Sequence, residues 1–115
     1  MRPESKKFLY DIRKAGELLA EFAEDKTLSD YLADAFLRSA VERQFEIIGE
    51  ALSQAIKLEP GLANAISEAK RIISFRNILI HGYAAVSNEV VWEVLQKDLP
   101  TLRRQVDELL TRAED

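Results

Sequence analysis

The sequence has no cysteine, one histidine, three prolines and four glycines in 115 residues. Without cysteine there can be no disulfide framework and no metal site built from thiolates. No apolar run approaches the roughly 18–20 residues needed to cross a bilayer. The first ten residues, MRPESKKFLY, lack the apolar stretch of a secretory signal. We therefore expect a cytoplasmic protein with no membrane segment.

Positive charge is also scarce. Lysine and arginine total 16 against 20 aspartates and glutamates, which gives a net charge of −4. A protein that holds nucleic acid through its overall charge is usually basic, so any polyanion must meet a local basic patch here. Apolar residues make up 47% of the chain. This length and composition predict one globular domain over residues 1–115 that buries roughly two thirds of its unfolded surface.

Apolar residues recur throughout the chain at the helical spacing of three and four, and no convincing strand pattern is found. This spacing predicts four helices, over residues 4–24, 27–58, 63–81 and 87–113. Four amphipathic helices joined by short connections predict an all-α fold, an antiparallel four-helix up-down bundle.

Local signals set the predicted helix ends. Thr27 and Ser87 are suited to cap the second and fourth helices, and Gly82 to follow the third. Pro100 lies inside the fourth helix, where it removes one backbone hydrogen bond, so we expect a kink or break near Asp98 and Leu99. The second helix is apolar around much of its circumference, including Tyr31, Phe45 and Ile48. That excess suggests a face for self-association.

The third helix ends in RNILIHGY, which interleaves Arg76, Asn77 and His81 with isoleucine and leucine. An arginine cannot lose its charge by deprotonation, so Arg76 must reach a carboxylate, solvent or an anion-binding cleft. Its candidate carboxylate partners are on the second helix: Glu42, Glu46 and Glu50. Because apolar residues surround the arginine direction, we expect this helix to be buried on several sides.

His81 falls at the predicted end of the third helix, on the same face as Asn77 four residues earlier. A histidine can exchange a proton near neutral pH, which suits acid or base catalysis. The residues alone leave two interpretations open, a catalytic pair of Arg76 and His81 or ordinary structural roles for both.

Arg76, four residues, His81, one residue and Tyr83 together match the signature of HepT-like toxins in the HEPN superfamily (higher eukaryotes and prokaryotes nucleotide-binding domains). The resemblance extends over nearly the whole chain. It includes the stretch 47–51 on the second helix, Val91-Trp92, and Leu99-Pro100. The chain lacks a tryptophan that often precedes the third helix in that family.

This resemblance implies an all-helical HEPN-like homodimer with an Arg–His cleft near the subunit interface. Members are typically metal-independent endoribonucleases, with no cofactor. They are usually paired with an MntA-type nucleotidyltransferase antitoxin, which transfers AMP to the signature tyrosine, here Tyr83. The implied function is the toxin of a type VII-like toxin–antitoxin pair.

Residue chemistry is compatible with this function. His81 would act as general base, Arg76 would clamp phosphate oxygens, and Asn77 would orient His81 or bind a phosphate. Attack by the 2′-oxygen would leave a 2′,3′-cyclic phosphate. Lys70 and Arg71 would supply the local basic patch.

Two other interpretations compete with the ribonuclease. One is a non-catalytic HEPN module that binds a nucleotide or a nucleotidyltransferase partner through the same cleft. The other is a plain helical dimer in which carboxylates saturate Arg76.

Overall fold

A computed structural model describes residues 1–82 and 86–114 of the chain, the side chain of Glu114 excepted. All regular secondary structure among these residues is helical, and they include no β-strand, which confirms the all-α prediction. The helices are α1 Pro3–Ala23, α2 Leu28–Ala33, α3 Ala35–Leu58, α4 Leu62–Ala65, α5 Ala69–His81, α6 Asn88–Glu93 and α7 Leu99–Glu114. A π-helical turn, Val94–Asp98, joins α6 to α7. None of the helices in this described part is both long and apolar enough to cross a bilayer.

Helix α1 agrees with the predicted first helix to within one residue at each end. Pro3 is its first residue, where the missing N–H costs nothing because the first helical N–H groups have no intrahelical partner. The helix ends before Asp25, which adopts a left-handed φ of 60°. Turn geometry of that kind stops an α-helix.

The predicted second helix is two helices, so the expectation of one continuous helix over residues 27–58 is wrong. Its start is right, since Thr27 and Asp30 exchange the two hydrogen bonds of a capping box. At Asp34 the backbone becomes extended, and the Asp34 side chain caps α3 by accepting from the Leu37 N–H at 3.1 Å. Arg38 donates to the carbonyls of Tyr31 and Leu32, which satisfies the end of α2. Side-chain hydrogen bonds thus replace the helical ones that the break removes.

The predicted third helix is also divided. The single turn of α4 is followed by Ile66 in an extended conformation, and α5 begins at Ala69. At this break the Ser67 N–H donates to the Gln105 side chain on α7 at 3.1 Å. The predicted end of the helix is confirmed at His81. Gly82 follows with a φ of −117°, so the end does not use a left-handed glycine.

The irregularity expected near Pro100 is confirmed, but the helix widens instead of breaking. In the π-helical turn the Leu99 N–H donates to the carbonyl of Val94, five residues earlier. Pro100 cannot donate to the carbonyl of Gln96, so the α-helical pattern could not have continued there in any case. Ser87 caps α6 by accepting from the Val90 N–H at 3.3 Å, as predicted.

One hydrophobic cluster draws on every long helix of the described residues. Helix α3 lies at its centre and packs on α1 along one side and on α5 along another, while α7 packs on α1. Tyr31, Phe45 and Ile48 are fully buried within the single chain, so these three residues cannot form a self-association face, although Phe36 at the start of α3 is 86% exposed. Self-association through this part of the chain stays a prediction. The four-helix up-down arrangement stays a prediction, because the helices are shorter and more numerous than the sequence indicated.

Candidate active site

Arg76 of α5 packs directly against Gly49 of α3. A Cβ atom added to Gly49 would overlap the Cβ and Cγ atoms of Arg76, so only glycine permits this contact. Behind it, the rings of Phe45 and Phe75 meet edge to face with centroids 5.3 Å apart. The arginine stem is therefore clamped between two helices, and its side chain is only 14% exposed.

The guanidinium of Arg76 is anchored at one nitrogen. Its Nη1 donates to Oε2 of Glu50 at 2.7 Å, so one of the three predicted glutamates is the partner. Gln54 donates to the other carboxylate oxygen of Glu50 at 2.9 Å. The Gln54 hydrogen bond and the charge of Arg76 together lower the pKa of Glu50. The carboxylate is consequently held in its ionised form, where it fixes the guanidinium.

Another nitrogen of Arg76 is left over. Nε is buried and donates to no group in the described part of the chain. Arginine carries five N–H donors in a rigid fork that matches the oxygens of a carboxylate or phosphate. Carboxylates therefore do not saturate Arg76, contrary to what the purely structural interpretation expects.

Arg76 lines an open groove of about 520 Å³ between α1, α3 and α5. Three cations and three anions line it, together with four apolar residues: Lys7, Arg43, Arg76, Asp11, Glu46, Glu50, Phe8, Ile47, Ala51 and Ile80. The charges are matched in pairs, with Lys7–Asp11 at 2.8 Å, Arg43–Glu46 at 3.4 Å and Arg76–Glu50 at 2.7 Å. The groove thus offers cationic donors to an anion without carrying a net charge of its own.

His81 is offset from Arg76 by about 140° around α5. It is the last residue of the helix, is exposed to solvent, and is not among the residues that line the groove. Asn77, one turn earlier, is exposed as well. Within one chain the structure therefore places Arg76 in the groove and His81 outside it.

Helix α5 is not buried on several sides, so that expectation is wrong. Ile72, Phe75 and Leu79 face the core, but Ile78 is 51% exposed and Ile80 is 43% exposed. Ile78 lies toward the side of the helix that carries Asn77 and His81, whereas Ile80 lines the Arg76 groove. A single chain thus leaves the end of α5 apolar and open.

Two other expectations concern neighbouring residues. Lys70 and Arg71 are exposed, but neither lines the groove, and Arg71 pairs with Asp98 at 3.2 Å. The proposed modification site, Tyr83, lies outside the described residues.

The groove contains two cations that sequence reasoning missed. Lys7 comes from α1 and Arg43 from the first half of α3. Each lies on an amphipathic helix among many other charged residues, and nothing local distinguishes it. Only the packing of α1 against α3 brings these cations beside Arg76.

The sequence matches a family model described as "Ribonuclease HepT-like" over residues 12–109. That range contains most of α1 and every later helix up to α7, including Gly49, Glu50, Arg76 and His81. Lys7 alone among the groove cations falls outside it.

Several curated proteins are similar to this chain. One from Methanocaldococcus jannaschii, named "Gamma-glutamylcyclotransferase and putative RNase", is 37% identical over 106 residues, which are 92% of this chain and 47% of that protein. A "Putative RNase" of the same organism is 32% identical over 102 residues, 89% of this chain and 93% of that protein. A "Probable ribonuclease HepT" of Thermococcus cleftensis is 33% identical over 109 residues, 95% of this chain and 98% of that protein. The chain thus spans about half of the first relative and nearly all of the other two. No solved structure matched.

Proposed function

Because the chain belongs to the HepT-like ribonuclease family, we propose that it is an RNA endonuclease in which Arg76 holds the scissile phosphate and His81 moves the proton. The observation that carries this proposal is the state of Arg76. Its stem is clamped over Gly49, Glu50 fixes one end of its fork, and its Nε remains without a partner among the described residues. A preorganised cation of this kind stabilises charge that develops on a phosphate in the transition state.

The proposed reaction needs no water as nucleophile. His81 accepts the proton of the ribose 2′-hydroxyl, and the 2′-oxygen attacks phosphorus. The bond from phosphorus to the 5′-oxygen then breaks, and that oxygen takes a proton from an acid. The products are a 2′,3′-cyclic phosphate and a 5′-hydroxyl. Metal independence is part of this proposal, because Arg76 supplies the cationic charge.

A second copy of the chain would supply the missing acid. One chain has one histidine, and that histidine is exposed at the end of α5, outside the groove. Ile78 lies near it, half-exposed, as expected for the centre of a contact between two α5 helices. A two-fold axis there would bring two His81 side chains near two Arg76 grooves. Asn77, on the same face, would orient His81 or hold a phosphate oxygen.

The biological role we propose is that of a toxin neutralised by an MntA-type nucleotidyltransferase antitoxin. The antitoxin would transfer AMP from a nucleoside triphosphate to the Tyr83 hydroxyl and release pyrophosphate. The phosphodiester so formed would compete with RNA for Arg76, and the adenine would obstruct the cleft. In this proposal Tyr83→Phe retains ribonuclease activity and escapes neutralisation. A Tyr83→Phe protein that the antitoxin still neutralises by AMP transfer would contradict the role of Tyr83.

The central experiment expresses the wild-type chain and His81→Ala separately, each without a partner protein. We expect growth arrest and RNA fragments with 2′,3′-cyclic phosphate ends from the wild type only. Circular dichroism must show that His81→Ala is folded, which is expected because His81 is exposed. Fragments ending in 3′-hydroxyls, or cleavage that requires magnesium, would overturn the mechanism. A wild-type chain that binds nucleotide without cleaving RNA would favour the non-catalytic module.

The dimer has its own test. Ile78→Asp places a charge in the proposed contact but lies on the exposed side of α5, so the single chain should still fold. Sedimentation should show a dimer for the wild type and a monomer for Ile78→Asp, with RNA cleavage lost along with the dimer. Val90→Asp is a suitable control because Val90 is 47% exposed on α6. Full activity of a monomeric Ile78→Asp protein would contradict a site completed by the second chain.

A further inference from the structure

A second groove lies at the opposite end of α1. It has a volume of about 780 Å³ and runs between the last turns of α1 and the junction of the π-helical turn with α7. Its floor is formed by small and apolar residues: Ala20, Ala23, Leu95, Leu99 and Pro100. This volume is in the range of ~300–1,000 Å³ that protein pockets use for ligands. The groove is therefore large enough to accommodate a few apolar side chains of another molecule on this floor.

One wall of this groove is a row of three carboxylates: Glu17 and Glu21, one turn apart on α1, and Glu24, the residue that follows the helix. None of them forms an ion pair within residues 1–82 and 86–114. The cation that lines this groove is Arg103, which lies across Gly16 and forms no ion pair with described residues either. By contrast, all three carboxylates of the Arg76 groove are paired with cations.

The position of these carboxylates is unfavourable for the helix itself. Glu17 and Glu21 are four residues apart on α1, where like charges repel. They also lie toward the C-terminal end of α1, where the helix dipole disfavours negative charge, and the last turn has no basic residue to compensate. A local arrangement that costs stability without a gain inside the chain is typical of a functional surface.

We propose that this groove is a docking site for a segment of a partner protein that carries apolar side chains flanked by lysine or arginine. The apolar residues would cover the floor, and the basic residues would pair with Glu17, Glu21 and Glu24. Charge complementarity selects this occupant, because a row of free carboxylates repels RNA and attracts a basic segment. The proposal is independent of the ribonuclease function, since it involves none of the residues of the Arg76 groove.

The test uses the full chain and two synthetic peptides of 14 residues. Both have leucines at helical spacing; in one the remaining positions are lysine, and in the other they are glutamate. Fluorescence anisotropy of the labelled peptides measures binding. We expect the lysine peptide to bind at least about tenfold more tightly than the glutamate peptide, with an affinity that falls as salt rises.

Three variants test whether the lysine peptide binds in this groove. Glu21→Lys should lower the affinity for the lysine peptide by about tenfold, because it reverses the charge at the centre of the row. Glu108→Lys makes the same change in net charge on the exposed part of α7 and should alter the affinity by less than about twofold. Ala20→Phe fills the floor and should also weaken binding, by about fivefold. Thermal unfolding of each variant confirms that it is folded.

Each alternative result would overturn the proposal. Equal losses in Glu21→Lys and Glu108→Lys would mean that overall charge alone attracts the peptide. Unchanged binding by Ala20→Phe would mean that the apolar floor is unused, and no binding of the lysine peptide at millimolar concentration would exclude the site. Sedimentation that shows self-association of the wild type, abolished by Glu21→Lys, would identify the occupant as a second copy instead.

Discussion

Two helix glycines lie under arginine side chains in this molecule, and they differ in how firmly the arginine is held. A Cβ at Gly49 would overlap the Cβ and Cγ of Arg76, whereas a Cβ at Gly16 would lie 3.1 Å from the Cγ of Arg103. The Cβ of Arg76 is fixed to the backbone of α5, so it can move only if the helix moves. The stem of Arg103 can rotate away. The position of Arg76 is therefore built into the packing of two helices, and that of Arg103 is adjustable.

The Arg76 groove and the second groove, which Arg103 lines, also differ in how firmly their charged side chains are held. Helix α1 lines both, with Lys7 and Asp11 at one end and Glu17 and Glu21 at the other. Lys7 and Glu21 lie on the order of 20 Å apart along the helix. Charges are paired within the chain in the first groove and left unpaired in the second. Contacts within the chain hold the charges of the first groove in place, whereas the second groove would become complementary only when the proposed partner binds.

The largest expected effect distinguishes the two arginines. Arg76→Lys keeps the charge and most of the stem but loses the rigid fork, so RNA cleavage should fall by about 10²–10³-fold in kcat/KM. Arg103→Lys makes the same substitution at the adjustable position and should retain activity within about twofold. Cleavage assays on both folded variants make the measurement. Similar losses in the two variants would contradict the special role of Arg76.

The next largest effect is the change in stability when each of the two glycines is replaced by alanine. Alanine within a helix usually stabilises by about 0.5–1 kcal/mol relative to glycine. Gly49→Ala should nevertheless lower the free energy of unfolding by about 1–3 kcal/mol, because the overlap with Arg76 forces α5 away from α3. Gly16→Ala should leave it unchanged or raise it by up to about 1 kcal/mol. Urea unfolding of both variants measures the difference, and equal effects would show that Arg76 is not held as the structure indicates.

The features that sequence reasoning predicted correctly have local causes. The limits of α1, the caps at Thr27 and Ser87, and the irregularity before Pro100 each depend on a few neighbouring residues. The predicted pairing of Arg76 with a glutamate of the second helix joins residues 26 positions apart, but it could be predicted from Arg76 alone because an unpaired buried charge is so costly.

The features that it missed depend on side-chain contacts, some of them distant. The break at Asp34 is stabilised by Arg38, six residues from the Leu32 carbonyl that accepts its hydrogen bond. The break before α5 is stabilised by a hydrogen bond from Ser67 to Gln105, 38 residues away. Neither break is marked by proline or glycine. The Arg76 groove likewise needs Lys7 and Arg43, which only the packing of α1 on α3 brings together. The spacing of the unpaired carboxylates of the second groove can be read from the sequence. Only the folded structure shows whether cations lie opposite them.

Two carboxylates that are paired with arginines should make opposite pH-dependent contributions to the free energy of unfolding. Burial raises the pKa of Asp98, which lies 3.2 Å from Arg71 but without hydrogen-bond geometry. Its ionised form is therefore unfavourable in the folded protein above the raised pKa, and this penalty disappears as pH falls below the ordinary value of about 3.9. Asp98→Asn should raise the free energy of unfolding at pH 7 by less than about 1 kcal/mol, and the gain should vanish near pH 3.

Glu50 is the matched comparison. Because its pKa is lowered, first by Gln54 and then by Arg76, its ionised form stabilises the folded protein above the ordinary pKa. That contribution is lost as pH falls through the lowered pKa. Glu50→Gln should therefore reduce stability at pH 7, and the reduction should shrink on acidification. Thermal unfolding of both variants from pH 3 to 7 tests the two signs, and a stabilising Glu50→Gln would contradict the anchoring of Arg76.

The smallest expected effect concerns the carboxylate row of the second groove. Glu21→Gln removes a charge that repels Glu17 and Glu24 and that opposes the dipole of α1, so the free energy of unfolding should rise by about 0.3–0.5 kcal/mol. Glu108→Gln is the matched control, because Glu108 has a cationic neighbour, Arg104, at 3.9 Å. It should leave stability unchanged or lower it slightly. Chemical unfolding at low and at 1 M salt measures both, and the gain from Glu21→Gln should disappear in high salt, where the repulsion is screened. A Glu21→Gln protein that is less stable than the wild type would mean that the carboxylate has a stabilising role within the chain, and the row would then be no vacant surface for a basic partner.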